Sequence, residues 1–253
     1  MALKVGITGR TDNKLAKDTA LRAVKILEER GAQIELDRTF FGKGKSLKRF
    51  DCDITLSFGG DGTLLQVFRD IGKKIPVMGI NCGSLGFLQS YRAEEIEMAL
   101  EAVLSGKIEV EKRTRILASI DGRKKCEALN EVLIVPDTAG RLLKYKMLIG
   151  NNLREEAGDG LIVATPTGST AHALSAGGPI VRGNAAVFVV VSMNPVDWKH
   201  RPLIINDHEK VSISDFRKMK ADAIIDGQKR FRIRKSVELV KGSEVLLAVR
   251  KMG

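Results

Sequence analysis

Phe58-Gly59-Gly60-Asp61-Gly62-Thr63 is the stretch whose residue types and spacing point most directly to chemistry. It follows an apolar run over residues 53–58, and a helical pattern continues from Thr63 to about residue 71. Three glycines remove Cβ atoms and permit positive φ, so backbone N–H groups can approach phosphate oxygens. The helix N-terminus that follows favours anions. An aspartate in such a loop opposes an anionic ligand unless it has a task. Two tasks suit it: taking a proton from an attacking hydroxyl, or holding a divalent cation against phosphates. The plainer reading is a glycine turn in which Asp61 caps the helix. No Gly-Lys-Ser/Thr follows at Walker A spacing, and the Gly-x-Gly-x-x-Gly order of a dinucleotide fingerprint is missing, which disfavours hydride transfer.

A second cluster runs from Asp159-Gly160 through Thr165-Pro166-Thr167-Gly168-Ser169-Thr170-Ala171-His172 to Ser175-Ala176-Gly177-Gly178-Pro179. Its hydroxyls both donate and accept, which suits ribose oxygens or an amide, and its Gly and Ala leave room for a flat ring. A plain crossing loop accounts for the glycines and proline but not for so many hydroxyls.

These loops need elements to hold them. Over the first hundred or so residues strand and helix alternate. Leu3, Val5 and Ile7 read as a strand, and Leu15, Ala20, Ala23, Val24 and Leu27 as a helix stopped at Gly31. Strands follow at 34–36, 53–58 and 76–80, and a helix at 93–104 closed by Gly106. That order predicts an α/β domain with a parallel sheet, where ligands bind at the carboxyl ends of strands. After about residue 112 the segments become short and rich in Val and Ile: 115–120, 126–135, 142–150, 161–164, 186–191, 211–213, 223–225 and 237–240. Asp121-Gly122 and Asp226-Gly227 supply turn chemistry between them. This half reads as mainly antiparallel β.

The whole chain narrows the function classes. Its 253 residues carry a net charge of +11, without the aromatic clustering of an RNA-binding module, so steering of polyphosphate ligands fits better than nucleic-acid binding. A simply solvated basic surface is the alternative. Cys52, Cys82 and Cys126 are odd in number and widely spaced, which argues against a disulfide framework or a zinc site and for a reducing compartment. No run is long enough to span a bilayer, and the start lacks the apolar length of a signal peptide.

Taken in order, the motifs resemble those of the NAD kinases. Members of that family carry a GGDGT loop, an Asn-Glu or Asn-Asp pair on a later strand, and a DG…TPTGSTAY segment followed by SAGGP. Here these stand as residues 59–63, Asn130-Glu131, 159–172 and 175–179, and residues 81–88 (NCGSLGFL) are similar to the family's NxGxLGFL. The motifs span residues 58–180, and the start and tail are compatible. 6-Phosphofructokinases and diacylglycerol or sphingosine kinases carry loops similar to a lone GGDGT; the ordered combination is far more specific.

The resemblance implies a fold and a set of roles. It implies an α/β domain over residues 1–112, a β-sandwich-like domain over 113–236, and a segment 237–253 returning to the first domain. Asp61 would be the base for the adenosine 2′-hydroxyl, with Gly59, Gly60, Gly62 and Thr63 shaping the phosphate site. Asn130 and Glu131 would hydrogen-bond NAD near its adenosine, and Asp159 would reach the nicotinamide end. Thr167, Thr170, Ala171 and Ser175 would line the pocket, Gln228 matches a pocket glutamine, and Arg141 matches loosely. ATP, another triphosphate or polyphosphate would be the phosphoryl donor, with Mg²⁺ or another divalent cation and no dedicated protein metal site. A cytoplasmic homo-oligomer, dimer or tetramer, without nucleic-acid or membrane partners, is expected. Two residues depart from the pattern: His172 stands where the family has Tyr, and Ala157 where many bacterial members have Arg. The rival readings are a lipid kinase related to diacylglycerol kinases and a non-enzymatic dinucleotide-binding regulator.

Overall fold

The computed structural model describes residues 2–72, 74–84, 86–138, 140–216 and 220–251. The chain divides into two compact units, residues 1–112 with 245–253, and residues 113–244.

The first unit is an α/β domain. Its parallel sheet runs in the order Gln33–Leu36, Lys4–Gly9, Ile54–Gly59, Val77–Asn81 and the end of the long strand Ser236–Arg250, whose Leu247 pairs with Val77. The core comes from strand residues such as Val5, Ile7, Leu56, Phe58, Met78 and Ile80, which meet the apolar stripe of helix Lys14–Glu29 and helix Ile96–Leu104. Strand Ile54–Gly59 is buried along its whole length, as expected for a parallel strand covered on both faces. Asn13 starts the first long helix by accepting from Ala16 N, and its Nδ2 donates to the Cys82 carbonyl at 2.8 Å. That second bond ties the helix start to the loop after strand Val77–Asn81.

The second unit is a sandwich of antiparallel strands. One sheet runs in the order Leu203–Asn206, Val187–Met193, Gly160–Ala164, Glu131–Pro136, Ala221–Ile225 and Lys229–Ile233. The other contains Asn152–Gly158, Leu143–Ile149, Val211–Ser214, the first part of Ser236–Arg250, Ile108–Ile120 and Lys124–Ala128. Alternate residues of both sheets, among them Ile134, Leu161, Val163, Phe188, Met147 and Leu239, form one buried core, the face-to-face packing that period-2 patterning produces. The opposite face of the first sheet buries Ile162, Ala164, Val189 and Val191 against Ala173. This is where the hydroxyl-rich segment lies.

Two sequence readings change in detail. Residues 126–135 read as one strand, but the chain breaks at Leu129-Asn130 into Lys124–Ala128 and Glu131–Pro136. Strand Asn152–Gly158 has no apolar alternation and was not visible; among the described residues it sits at a sheet edge, paired with Leu143–Ile149. Among the described residues no helix is long and apolar enough to cross a membrane. The three cysteines are free.

Candidate active site

In the first unit, strand Ile54–Gly59 delivers the glycine loop to the carboxyl edge of the sheet. A Cβ on Gly59 would lie 2.5 Å from Thr63 Oγ1, so only glycine lets the helix start fold back on the strand end. Gly60, in extended conformation, is the N-cap, and no side chain caps helix Asp61–Asp70. Asp61 is therefore not the helix cap that the plainer reading made it.

Its carboxylate reaches across to the loop after strand Val77–Asn81. Asp61 Oδ2 accepts from Phe87 N at 2.8 Å, and Oδ1 accepts from Leu88 N and Gln89 Nε2, each at 3.2 Å. Gly86 makes room for it, since a Cβ there would stand 2.8 Å from Asp61 Oδ1. A carboxylate offers about four lone-pair positions, two on each oxygen. These three bonds leave one on Oδ2, the place from which Asp61 can accept a further proton. The 81–88 segment is a folded loop in its own right. Asn81 accepts from Gly83 N at 3.0 Å and donates to the Ser84 carbonyl at 2.8 Å. Leu85, part of the motif, lies outside the described residues. An open cleft of about 450 Å³ beside this loop is lined by Asn81, Gly83, Gly86, Gln89 and Arg92 among others.

In the second unit most of the expected residues gather at one end of the six-stranded sheet. The organiser is a residue that the sequence showed only as a turn former. Asp226 adopts a left-handed conformation with φ 49°. Its carboxylate accepts from three consecutive backbone N–H groups: Leu129 at 3.0 Å, Asn130 at 2.7 Å and Glu131 at 3.2 Å. This capture is the physical reason for the strand break at Leu129-Asn130. Asp226 N closes the arrangement on the Glu131 carbonyl at 3.0 Å, and Gln228 follows, exposed, in the same turn.

The hydroxyl-rich segment then folds onto this turn. Thr165, wholly buried, donates to the Leu129 carbonyl at 2.5 Å and accepts from Gly168 N at 3.1 Å. Ser169, equally buried, donates to the Pro166 carbonyl at 2.7 Å and accepts from Val181 N at 3.0 Å. These two hydroxyls build the loop and are not presented to a ligand. Thr167 is different: its Oγ1 is buried without a hydrogen-bond partner. Thr170 and Ala171 are half-buried beside it, and Ser175 and His172 are exposed on the short helix His172–Ser175. His172, which stands where the family has Tyr, thus lies on the exposed side of this loop.

Glu131 carries the sharpest electrostatics. It is 6% exposed, its Oε2 has no partner, and burial together with the nearby Asp226 charge pushes its carboxyl up to about 7.

Asp159 and Arg141 are not part of this group. Leu161 pairs with Ile134 and Ala164 with Glu131, so Asp159 lies beyond the far end of strand Gly160–Ala164. At about 3.3 Å per residue that strand separates the two groups by roughly 16 Å. Leu143 pairs with Gly158, which places Arg141 near Asp159 at the same sheet end. There Asp159, exposed, accepts from Asn194 Nδ2 at 2.7 Å. Among the described residues no group of three His, Cys, Asp or Glu is arranged to hold a metal ion.

With this geometry in hand, comparison with known proteins is direct. Residues 42–108 match the model of the ATP-NAD kinase N-terminal domain, and residues 129–250 that of the ATP-NAD kinase C-terminal domain. The chain is 37% identical over 236 residues to an NAD kinase of Methanothermobacter thermautotrophicus, covering 89% of this chain and 83% of that protein. It is 36% identical over 244 residues to an NAD kinase of Pseudomonas aeruginosa, covering 90% and 83%. A bifunctional NADP phosphatase/NAD kinase of Methanococcus maripaludis is 34% identical over 251 residues; these cover 93% of this chain and only 44% of that longer protein. In fold, the chain superposes with a TM-score of 0.83 on the crystal structure of an Archaeoglobus fulgidus NAD kinase in complex with ATP, at 24% identity and covering 98% and 94% of the two chains. A yeast NADH kinase complexed with NADH gives a TM-score of 0.87 at 20% identity, covering 99% and 84%. The matched domains, the ordered motifs and the extent of these likenesses agree: this chain belongs to the ATP-NAD kinase family.

Proposed function

We propose that this protein is an enzyme that transfers the terminal phosphoryl group of ATP to the 2′-hydroxyl of the adenosine ribose of NAD, giving NADP. The observation that carries the reading is Asp61: a carboxylate held rigid by three hydrogen bonds, with one lone pair left on Oδ2, beside glycines that open the loop to phosphate. Phosphoryl transfer asks a protein mainly for alignment and charge neutralisation. Asp61 takes the proton of the 2′-hydroxyl as its oxygen attacks the terminal phosphorus, whose bond to the bridging oxygen breaks to release ADP. Gly59, Gly60, Gly62 and Thr63 shape the phosphate site at the helix start, where the helix N-terminus favours anions.

The second unit grips the dinucleotide. Asn130, Glu131 and the unpartnered hydroxyl of Thr167 bind at the adenosine end, with Thr170, Ala171, Ser175 and Gln228 around them. Asp159 serves the nicotinamide end, with Arg141 close by. A Mg²⁺ ion or another divalent cation would neutralise charge on the transferring phosphate; among the described residues no three His, Cys, Asp or Glu are grouped to hold a metal, which is compatible with a cation that keeps waters and is bound through phosphates. Three free cysteines are in keeping with the cytoplasm. Exposed Val196, Trp198 and Ile204 support a homo-oligomer, dimer or tetramer. Nucleic acid and membrane are not partners in this reading.

A coupled assay for NADP, run with NAD, Mg²⁺ and either ATP or inorganic polyphosphate, tests the activity and ranks the donors. NADP forms with ATP. Folded protein that binds NAD and yields no NADP with any donor would make this a dinucleotide-binding regulator instead. Asp159→Asn separates grip from chemistry. It raises KM for NAD by about 10–100-fold, the worth of one charged hydrogen bond, and leaves kcat near the parent value. A fall in kcat with KM unchanged would place Asp159 in the chemical step.

A further inference from the structure

Asp226 and Glu131 form a pair of acids whose arrangement has consequences for binding. Glu131 begins strand Glu131–Pro136, nine-tenths buried, with Oε2 lacking any partner. Asp226, also buried, lies against the same backbone, holding the N–H groups of residues 129, 130 and 131. Three backbone N–H groups converge on the Asp226 carboxylate and fix it beside Glu131. Its negative charge then opposes a second negative charge on Glu131, and burial opposes it further. The other elements packed against Glu131, strand Gly160–Ala164 and the turn from Thr165 to Gly168, bring no ionisable side chain. Asp222, on strand Ala221–Ile225, is at the far end of that strand and already paired with Arg230 and Arg232.

A ligand that offers hydroxyl groups changes this balance. Ribose hydroxyls donate to Glu131 and supply the hydrogen bonds that its charged form lacks, so the bound state favours the carboxylate. We propose that Asp226 is a positioning residue for the dinucleotide: its carboxylate fixes the backbone that presents Asn130 and Glu131, and its charge makes NAD binding release a proton from Glu131. The proposal rests on the NAD-binding reading above and adds to it a proton linkage with a defined source. Affinity for NAD rises as pH increases towards 7 and levels off above it, because above that range Glu131 is already charged before the ligand arrives. Below that range each binding event must first expel the proton.

Two measurements separate the parts. In protein without ligand, the Glu131 carboxyl carbon, followed by NMR, titrates near pH 7 in the parent and about one unit or more lower in Asp226→Asn, where the opposing charge is gone. This arm needs no NAD. An ordinary Glu131 titration, or an unmoved one in Asp226→Asn, would overturn the coupling. In the second arm NAD is titrated calorimetrically at several pH values in buffers of different ionisation enthalpy. The parent releases protons most strongly between about pH 6 and 7, Asp226→Asn does so at lower pH, and Glu131→Gln releases none and binds with flat pH dependence. Proton uptake, or release that persists in Glu131→Gln, would overturn the linkage. Should Asp226→Asn fail to fold, Glu131→Gln still decides the second arm. NAD that does not bind at any pH, with the first arm intact, refutes the substrate assignment and leaves the acid pair standing.

Discussion

Asp61→Asn lowers kcat for NADP formation by roughly 10²–10⁴, the usual loss when a general base is removed. The substitution is nearly isosteric but not structurally silent. Both carboxylate oxygens are engaged, and an amide NH₂ in place of one of them cannot accept from Phe87 N or Leu88 N. Loss of one such bond costs about 1–3 kcal/mol locally, so a modest fall in Tm accompanies the loss of rate. Gln89→Ala provides the comparison. It removes the third bond to Asp61 and loosens the same loop while leaving the negative charge in place. Steady-state kinetics on both variants separates the two roles. Gln89→Ala stays within about tenfold of the parent kcat, whereas Asp61→Asn falls well below it. Equal losses in the two variants would mean that Asp61 matters only as an anchor for residues 87–89, and the general-base mechanism would be wrong.

Gly168→Ala produces the largest structural effect of any single methyl in the second unit's loop. Its Cβ would stand 2.1 Å from the Asn130 carbonyl oxygen and 2.4 Å from the carbonyl carbon, atoms of a backbone that Asp226 and Thr165 hold from two sides. A flexible side chain could turn away; this backbone cannot. Overpacking of this kind costs about 1–3 kcal/mol or more, equivalent to a drop in Tm of roughly 3–10 °C for a chain of this size. The strain falls on the turn that presents Asn130 and Glu131, so KM for NAD rises by about tenfold or more, each tenfold corresponding to about 1.4 kcal/mol. Thermal unfolding and NAD titration on the same preparation check both. Gly60→Ala is the contrast in stability: nothing lies within 4 Å of a Cβ there and φ is −105°, so its Tm stays close to the parent's. A Gly168→Ala protein with parental Tm and KM would show that the contact relaxes at no cost.

Much of this was legible in the sequence because it rests on local signals. The α/β then β order followed from periodicity, and the glycine loop announced itself by composition. The less legible parts are side chains that act at a distance along the chain. Asp226 was visible only as half of a turn dipeptide; that it captures the backbone of residues 129–131 depends on strands 96 residues apart meeting in one sheet. Gln89 drew no notice and Gly86 stood only as one letter of the 81–88 motif, because their reason for being is a carboxylate 28 and 25 positions earlier. The hydroxyl count in the second cluster misled in part. Thr165 and Ser169 satisfy the loop's own backbone, and Thr167 alone of the three keeps a buried hydroxyl unpartnered. A buried polar side chain must satisfy itself before it can serve a ligand, and only the folded chain shows which ones have done so.

The long strand Ser236–Arg250 bears on how the protein is made. Its first part pairs with Val211–Ser214 in the second unit, and its last part, Leu247 and Ala248, pairs with Val77 and Met78 in the first. The first unit is therefore discontinuous in sequence, and its sheet gains that strand only after the whole of residues 113–244 has been translated. Domains usually fold in the order in which they leave the ribosome. Here the segment synthesised later has all of its own strands available first, while the glycine-loop unit waits with Val77 and Met78 unpaired on that side, next to Ile80 and Asn81, which pair with Tyr91 and Arg92. An uncovered strand edge is an invitation to the wrong partner. The nascent chain is most exposed to misassembly in the interval before those last residues emerge, so ribosome stalling within residues 113–244 would be more damaging than the number of missing residues suggests.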